Sequence, residues 1–436
     1  MKIPFSYSEI PALEVPEKNV LAMLMPRTAE PASSGESLAE AALEHPLGCP
    51  PIENEVSPSA RILVLVDDIT RQTPAGKILP PLFKRLAGRR VQKKNVKILI
   101  AAGTHARMSA EEIERKLGRR IPHEHTVVIH HWKDEEKLVT IGTTPDGTLV
   151  RVNRMLGEAD LVIGVGQIVP HRVMGFTGGS TIVQPGVSGK EVTGYTHWLS
   201  ALYPGREILG VTDNPVRAEV ERIAAKAGLR FILNVVMDAN HRVIHVVPGH
   251  PVVAHRRGAK LSEEIYGVSQ PAPADIVVTE SYPADYDLWQ AAKGIYSAEL
   301  AVKRGGVVIL VTPCPHGVSK EHPEVEQLGY HGYAEVRSMV ESKMITDLVA
   351  AAHLVHVGRV IRDKAHGIMV SPGIDPETQG HLGFEPARSP QQALEMALEI
   401  AGPDAKVAVL RHGGDVLPLV AGNGKPLEGS GLKPQP

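Results

Sequence analysis

Two short polar segments of this 436-residue chain each follow an apolar run and carry side chains suited to proton transfer or carboxylate binding. The first contains Asp68 and Arg71, and the guanidinium of Arg71 could bind a carboxylate through two parallel hydrogen bonds. The second ends at His105, whose imidazole could give and take protons near neutral pH. Taken singly, each segment also fits a structural role, since Asp68 could cap a helix and His105 could be an ordinary packed histidine.

A third segment, residues 169–186, reads VPHRVMGFTGGSTIVQPG and contains His171. Its small and hydroxylated residues could turn several backbone N–H groups toward a phosphate. The segment lacks the Lys-Ser/Thr ending of a Walker A loop and the spacing of a dinucleotide fingerprint. It therefore predicts an anion-binding loop, with a simple tight turn as the structural alternative.

Two further positions complete the set of candidate site residues. His197 could ligate a borderline metal through its imidazole, but no second histidine stands at helical spacing from it. A zinc site built from protein ligands alone is therefore not expected. Gln290 and Lys293 are three residues apart and would share one face of a helix, where they could hold a carboxylate. A solvated helix face is the alternative for that pair.

The surrounding elements explain how these segments could meet. Apolar runs at 62–66, 96–102, 126–130 and 160–165 alternate with helical patterns, which indicates βαβ units and a parallel sheet. Ligands bind at the carboxyl ends of such strands, where the segments of Asp68, His105 and His171 all fall. The sequence therefore predicts one shared site.

A second α/β run follows, and it completes the predicted fold. We predict strands at 275–279, 307–311, 354–357, 368–371 and 406–410, and helices at 297–303 and 391–400. The fold class is then α/β, with a Rossmann-like domain over 1–262 and a smaller α/β domain over 263–425. The active site is expected in the cleft between them, and residues 426–436 are expected to be a disordered tail.

Composition excludes several classes of protein. A net charge of −2 and an aromatic content of 4% argue against a nucleic-acid partner. Cys49 and Cys314 do not form a disulfide framework or a zinc set. The sequence shows neither a signal peptide nor the roughly 20 apolar residues that cross a bilayer. We expect a cytoplasmic protein with no membrane partner, and the sequence leaves its oligomeric state open, a dimer included.

Taken together, the segments resemble the nickel-dependent lactate racemase family of 2-hydroxy-acid racemases and epimerases. That family shows a DDxTRxTP-like segment, a GTH segment, a PHxxxGFxGG segment, a later histidine and a QxxK pair. This chain has all five in the same order. The resemblance covers roughly residues 60–300, with a compatible second domain to about residue 420.

The resemblance implies a cofactor as well as a reaction. The family binds a nickel-pincer nucleotide, a pyridinium-3,5-bisthiocarboxylic acid mononucleotide derivative that holds nickel through one ring carbon and two sulfurs. The ring carbon takes a hydride from the α-carbon of a 2-hydroxy acid and returns it to the other face of the 2-keto acid. By the same resemblance, His197 matches the protein ligand of nickel, and the cofactor-binding positions are Thr177, Gly178, Gly179 and Thr181.

The resemblance also assigns roles around the substrate. His105 and His171 would exchange the hydroxyl proton from opposite sides, which explains two bases rather than one. Arg71, supported by Asp68, would polarise the substrate oxygen. Gln290 and Lys293, together with Arg71, would hold the carboxylate.

One departure from the family pattern concerns the cofactor. Well-known members carry a lysine ten residues after the second catalytic histidine, and it links to the cofactor through a thioamide. This chain has Thr181 at that position. We therefore expect a cofactor held without a covalent bond, with loss of activity as the alternative.

The sequence does not identify the substrate. Lactate, malate, another short 2-hydroxy acid and a sugar acid epimerised at C2 all remain open. A non-catalytic carrier of the nickel nucleotide is the alternative function, although a carrier would need neither histidine base. A nicotinamide dehydrogenase is disfavoured because the dinucleotide fingerprint is missing.

Overall fold

A computed structural model describes residues 1–105 and 107–421 of the chain. The predicted tail at 426–436 lies outside the described residues. Two six-stranded sheets with helices on both faces form the body of the protein, which confirms the α/β class. Within the described part of the chain, no helix is both long enough and apolar enough to cross a membrane.

The strands follow one another along the chain as β1 (Lys2–Ile3), β2 (Leu13–Glu14), β3 (Val20–Leu24), β4 (Ile62–Asp67), β5 (Val96–Ala101), β6 (Thr126–Ile129), β7 (Leu138–Thr143), β8 (Leu149–Asn153), β9 (Leu161–Gln167), β10 (Pro170–His171), β11 (Gly175–Phe176), β12 (Leu229–Met237), β13 (Val243–Gly249), β14 (Gly267–Gln270), β15 (Ala274–Glu280), β16 (Val302–Val311), β17 (Ala365–Val370), β18 (Glu385–Pro386), β19 (Val407–Leu410) and β20 (Leu417–Val420).

The α-helices are α1 (Gly35–Ala42), α2 (Ala75–Gly88), α3 (Ala110–Leu117), α4 (Arg120–Glu124), α5 (Met155–Glu158), α6 (Lys190–Ala201), α7 (Gly205–Ile208), α8 (Pro215–Lys226), α9 (Val253–Tyr266), α10 (Leu288–Ala301), α11 (Glu324–Leu328), α12 (Tyr333–Glu341), α13 (Leu348–Gly358), α14 (Pro376–Leu382) and α15 (Pro390–Ala401).

The first sheet has the strand order β13-β12-β9-β4-β5-β6, and all its pairings are parallel except that of β12 with β13. Both faces are covered. On β4, Val64 belongs to the core beneath α1 and α2, whereas its neighbour Leu65 belongs to the core on the opposite face. A strand buried on both sides reads as a continuous apolar run, and this is why its position was predictable from the sequence.

The second sheet has the order β18-β17-β16-β15-β19-β3, and every pairing in it is parallel. Helices α10 and α13 cover one face, and the N-terminal residues cover the other together with α15. The predicted domain over 1–262 therefore needs a correction. Its first strands pack with the second sheet, because β3 pairs with β19 and the buried Ile3 and Leu13 pack beneath that sheet.

The rest of the predicted domain division stays a prediction. Its boundary between residues 262 and 263 falls inside α9, which runs unbroken over Val253–Tyr266.

One predicted element of the second half is wrong, and another has the wrong limits. Residues 354–357 form part of α13, a helix over Leu348–Gly358 that is buried from Val349 onward. A short apolar run that is buried on all sides does not distinguish strand from helix by its periodicity. The helix predicted at 297–303 is the last part of α10, and β16 begins already at Val302.

Candidate active site

A pocket opens at the carboxyl ends of β4, β5 and β9, which are neighbours in the first sheet, and extends to α10 and α13 of the second half. It encloses about 1260 Å³, counting its opening to solvent. Almost all candidate residues line it, and the structure thus brings together segments that are far apart in sequence. These residues are Asp68, Arg71, His105, His171, Thr177, Gly178, Thr181, His197, Gln290 and Lys293.

His105 is held by a buried carboxylate. Its Nδ1 lies 2.7 Å from Oδ2 of Asp68, and Oδ1 of Asp68 accepts a hydrogen bond of 2.6 Å from the hydroxyl of Thr70. Burial opposes ionisation of Asp68, but the neighbouring His105 and Arg71 and the hydrogen bonds outweigh it and lower the pKa of that carboxyl. An ionised partner on Nδ1 orients the ring and leaves Nε2 free to accept a proton from a ligand.

The turn that carries Asp68 and Arg71 is fixed from below by Lys116. This buried ammonium group donates to the backbone carbonyls of Asp68 and Arg71, at 2.9 and 2.8 Å, and pairs with Asp67 at 2.6 Å. Lys116 lies near the end of α3, whose N-terminus is closed by a capping box of Ser109 and Glu112. Sequence reasoning missed Lys116, since nothing in the sequence separates it from the other charged residues of that amphipathic helix.

His171 has a different environment, on the short hairpin of β10 and β11. Its Nδ1 is buried and has no hydrogen-bond partner among the described residues. Burial, followed by the positive charges of Arg71 and Lys293, lowers the pKa of His171 well below its ordinary value. The ring is therefore neutral at physiological pH and able to accept a proton. The two candidate bases are unequal in the ligand-free site.

The glycine loop after His171 is shaped from inside the protein. Gly178 and Gly179 have φ values of +75° and +58°, a region that L side chains rarely adopt. The N–H of Gly179 donates to Oδ1 of Asn234, and the N–H groups of Thr177 and Thr181 donate to other backbone carbonyls. Gly179 is also the one candidate residue that does not line the pocket. In the loop of residues 177–181, three of the five backbone N–H groups thus donate hydrogen bonds within the protein.

Arg217 lies beneath this loop and is completely buried. Its guanidinium donates to the carbonyls of Met174, Phe176 and Gly178. Arg217 and Asn234 therefore fix the shape of the loop. Sequence reasoning missed both, because each lies on an otherwise ordinary helix or strand.

His197 lies on α6 with its Nδ1 2.8 Å from the carbonyl oxygen of Thr193. Only a protonated Nδ1 can donate to a carbonyl, so Nε2 keeps its lone pair. Burial lowers the pKa of His197 to about 4, which keeps the ring neutral. A neutral imidazole oriented by a backbone carbonyl is a typical metal ligand. Across the described residues, however, no group of three or more His, Cys, Asp or Glu side chains could hold a metal. A metal at His197 would have to bring other ligands with it.

Gln290 and Lys293 share one face of α10, as predicted. Lys293 donates to Oε1 of Gln290 at 2.8 Å, and Asp287 caps the helix by accepting from the N–H of Gln290. Burial, followed by the charge of Arg71, lowers the pKa of Lys293 to about 8. The guanidinium of Arg71 forms no ion pair in the described part of the chain and contacts only Thr70 within hydrogen-bonding distance. Two cationic groups thus face one pocket.

The far wall of the pocket comes from α10 and α13, and sequence reasoning did not predict the part that α13 contributes. Both faces of the Trp289 ring are occupied, since the rings of His322 and His353 stack on it at 4.0 and 4.1 Å. His353 contacts the hydroxyl of Tyr296 at 2.8 Å. The spacing of His353 and His356 could have indicated this wall, but residues 354–357 were predicted as a strand. On a helix, the three-residue spacing of His353 and His356 would have indicated a shared face.

Comparison with known proteins places this fold and site in a family. Residues 7–208 match the lactate racemase N-terminal domain and residues 269–417 match the lactate racemase C-terminal domain. The lactate racemase of Lactiplantibacillus plantarum is 30% identical over 398 residues, which cover 87% of this chain and 90% of that protein. The lactate racemase of Thermoanaerobacterium thermosaccharolyticum is 29% identical over 430 residues, or 96% of this chain and 98% of that protein.

Solved structures agree with these matches. The lactate racemase apoprotein from T. thermosaccharolyticum superposes with a TM-score of 0.84 at 28% identity, covering 96% of this chain and 99% of that one. A crystal structure of a protein from Thermotoga maritima shares the fold, with a TM-score of 0.72 at 22% identity, over 90% of this chain and 100% of that one. The chain belongs to the lactate racemase family. It is an enzyme, an isomerase of the racemase type.

Proposed function

We propose that this protein racemises or epimerises a 2-hydroxy acid with the help of a nickel-pincer nucleotide. The observation that carries the proposal is the pairing of two imidazoles in one pocket with a cationic clamp. His105 and His171 line the same pocket as Arg71 and Lys293. Racemisation requires a base for each orientation of the hydroxyl group, and an anionic substrate requires cations that hold it while it turns.

Different residues of the chain bind the substrate carboxylate, contact its hydroxyl oxygen and exchange its hydroxyl proton. Lys293 and Gln290 bind the substrate carboxylate, and Arg71 faces its hydroxyl oxygen. His105, held by the ionised Asp68, takes the hydroxyl proton from one enantiomer or gives it back to that same enantiomer. His171 does this for the other enantiomer from its own side of the pocket. A turnover therefore leaves one proton on the first base and takes one from the second, and exchange with solvent restores both. Removing that proton makes the α C–H bond a better hydride donor.

The residues present fit the cofactor. His197 offers a neutral nitrogen lone pair to a metal whose other ligands would come from the nucleotide. Thr177, Gly178 and Thr181 line the same pocket as His197. Gly179 supports the loop through Asn234. When bound, the nucleotide supplies a carbon that accepts and returns a hydride.

The cofactor is held without a covalent bond in this proposal. Thr181 replaces the lysine of the best-known members, and its hydroxyl donates to the carbonyl of Gly178 at 3.0 Å. Lys293 is the only lysine among the described residues that line the pocket, and it is engaged with Gln290. Intact mass spectrometry of denatured, cofactor-loaded protein should therefore give the mass of the bare polypeptide. A stable adduct would contradict this part of the proposal.

A substrate panel tests the reaction itself. Cofactor-loaded protein is incubated with single enantiomers of lactate, malate, other short 2-hydroxy acids and sugar acids, and the enantiomers or epimers are separated by chiral chromatography. Lactate is included because the relatives are lactate racemases. Turnover of at least one acid is expected, and it should be lost in His105→Ala and in His171→Ala. Bound nickel without turnover of any acid would instead favour a carrier.

Nickel retention provides a separate readout. His197→Ala should fold normally and lose nickel during gel filtration, whereas His105→Ala should keep it. His245→Ala is the matched control, because His245 lies on β13 and does not line the pocket. Nickel that stays with His197→Ala at the wild-type level would show that another residue is the ligand.

A further inference from the structure

A buried ionic junction lies behind the pocket and connects the two halves of the protein. Arg172 and Glu299 form it, with side chains that are 2% and 6% exposed and Nε and Oε2 3.7 Å apart. One other ion pair in the described part of the chain crosses residue 262, but it joins the exposed side chains of Lys18 and Asp404, and Lys18 lies just before β3 of the second sheet. Among the described residues, the pair of Arg172 with Glu299 is therefore the one buried ion pair that links the two halves.

Stability alone does not explain the pair. Nε and Nη1 of Arg172 and Oε2 of Glu299 have no hydrogen-bond partner among the described residues. Burial, chiefly, lowers the pKa of Arg172. Taking two charges out of water costs several kcal/mol each, and a well-packed apolar pair is often at least as stable. Buried ion pairs can instead fix how elements fit together, and the surroundings of this pair indicate such a role.

The junction gathers the ends of three elements. Arg172 donates to the carbonyl of Tyr203 at 2.9 Å, just beyond the end of α6. Arg359, which follows α13, donates to the same carbonyl and to that of Ala201. Glu299 accepts from the N–H of Gly205 at 2.8 Å, at the start of α7. Hydrogen bonds therefore connect the ends of α6 and α13 and the start of α7 to the ion pair.

Three residues of the site lie close in sequence to residues of the junction. Arg172 directly follows His171 in the chain. His197 precedes Ala201 by one helical turn on α6. Lys293 precedes Glu299 by six residues on α10, about 9 Å along the helix axis. The junction is therefore linked rigidly to one base, to the candidate metal ligand and to the carboxylate clamp.

We propose that Arg172 and Glu299 are positioning residues that set the distance between His171 and the carboxylate clamp. The inference rests on the proposed function for its effect on turnover. His171 belongs to the first sheet's side of the cleft, whereas Lys293 belongs to the second. A substrate held by its carboxylate therefore presents its hydroxyl to His171 only if the two halves keep the same position relative to each other. Misplacement by about 1 Å can cost on the order of a hundredfold in rate.

The test removes the ionic pair without leaving a lone buried charge. In Arg172→Met with Glu299→Leu, both charges are replaced by apolar side chains, which buried sites can tolerate. We expect at least a tenfold lower kcat and a KM within about threefold of the wild-type value, because Arg71, Gln290 and Lys293 are intact. Hydrogen exchange at 170–176 and 288–301 should become faster. If that variant fails to fold, Glu299→Gln keeps the size of the side chain and an acceptor for Gly205.

A matched control uses Arg85 and Glu53, another partly buried pair, whose Nη1 and Oε1 are 2.8 Å apart and which does not line the pocket. Arg85→Met with Glu53→Leu should leave kcat and exchange at 170–176 unchanged. Wild-type kcat in the folded junction variant would overturn the inference, even if exchange were faster. Equal loss of kcat in the control would also overturn it. If the wild-type protein turns over no 2-hydroxy acid, the proposed function fails. The role of the junction is tested separately by hydrogen exchange, and an unchanged exchange rate in the junction variant would overturn it.

Discussion

At the scale of single residues, the two candidate bases are prepared in different ways. His105 contacts the ionised carboxylate of Asp68 through Nδ1. His171 lies near the positive charges of Arg71 and Lys293, and its Nδ1 has no hydrogen-bond partner among the described residues. A substrate carboxylate would offset part of that charge when it binds beside Lys293. The two bases can therefore become more alike in the complex than they are in the free protein.

The role of Asp68 leads to the first prediction. Asp68→Asn keeps the shape of the side chain but removes the charge that orients His105 and stabilises its protonated form. We expect kcat to fall by about 10²–10⁴-fold, by analogy with other carboxylate–histidine pairs, and KM to change little. Initial rates of racemisation in both directions measure this. A kcat within twofold of the wild-type value would exclude a functional role for the pair.

The pKa of Lys293, about 8 in the ligand-free pocket, predicts how substrate binding depends on pH. The ammonium group is charged below that pH and neutral above it, so the clamp weakens as pH rises through 8. At pH 9 roughly one lysine in eleven is charged, and KM should rise up to about tenfold. Lys293→Arg, which keeps its charge, should show a flat KM between pH 7 and 9. A flat profile in the wild-type protein would contradict the prediction.

At the scale of elements, α10 carries the carboxylate clamp in its first two turns. Its N-terminus is fixed by Asp287, whose side chain accepts from the N–H of Gln290 at 2.9 Å. The cap therefore stabilises the helix and positions Gln290 at the same time. Helix α15 has a comparable cap in Ser389, which accepts from the N–H of Gln392 far from the pocket.

These two caps provide a matched pair of variants. Asp287→Ala and Ser389→Ala should each lower the free energy of unfolding by about 1 kcal/mol, since each removes one N-cap acceptor. Only Asp287→Ala should raise KM, because the first turn of α10 frays around Gln290. Denaturant unfolding and substrate saturation curves measure the two effects. An unchanged KM in Asp287→Ala would show that the cap does not position the clamp.

At the scale of the whole molecule, the first described strands pack in the same half as the last ones, β19 and β20. Strand β3 pairs with β19 at the edge of the second sheet, and Leu13 is fully buried beneath that sheet. The first sheet has its own cores, which include the fully buried Leu65. Each half thus has a separate apolar interior, and the pocket lies where the two meet.

Separate interiors predict that local damage stays in one half. Leu13→Ala leaves a cavity beneath the second sheet and should cost about 2–5 kcal/mol. Amides of β15 and β16 should then exchange with deuterium faster, while those of β4 and β5 change little. Leu65→Ala should produce the reverse pattern. Equal acceleration in both sheets after either substitution would show that the halves unfold as one unit.

Four strands of the first sheet, β4, β5, β6 and β9, and the polar segments that follow them were predictable from residue types alone. Strands β4, β5 and β9 are short runs of apolar residues, and polar residues that follow parallel strands must meet at one edge of the sheet. The family pattern then identified Asp68, Arg71, His105 and His171 by residue type and order. Helix α10 was predicted too far along the chain, yet the spacing of Gln290 and Lys293 still indicated that they share a face.

Only the tertiary structure decided what surrounds these residues. Lys116, Arg217 and Asn234 act through backbone carbonyls and amides, and no sequence pattern records which carbonyl a distant side chain will reach. The helix α13 was mistaken for a strand because an element buried on every side shows no period. The pairing of β3 with β19 and the junction of Arg172 with Glu299 join residues more than a hundred positions apart. Such contacts depend on how whole elements pack, which local residue types do not specify.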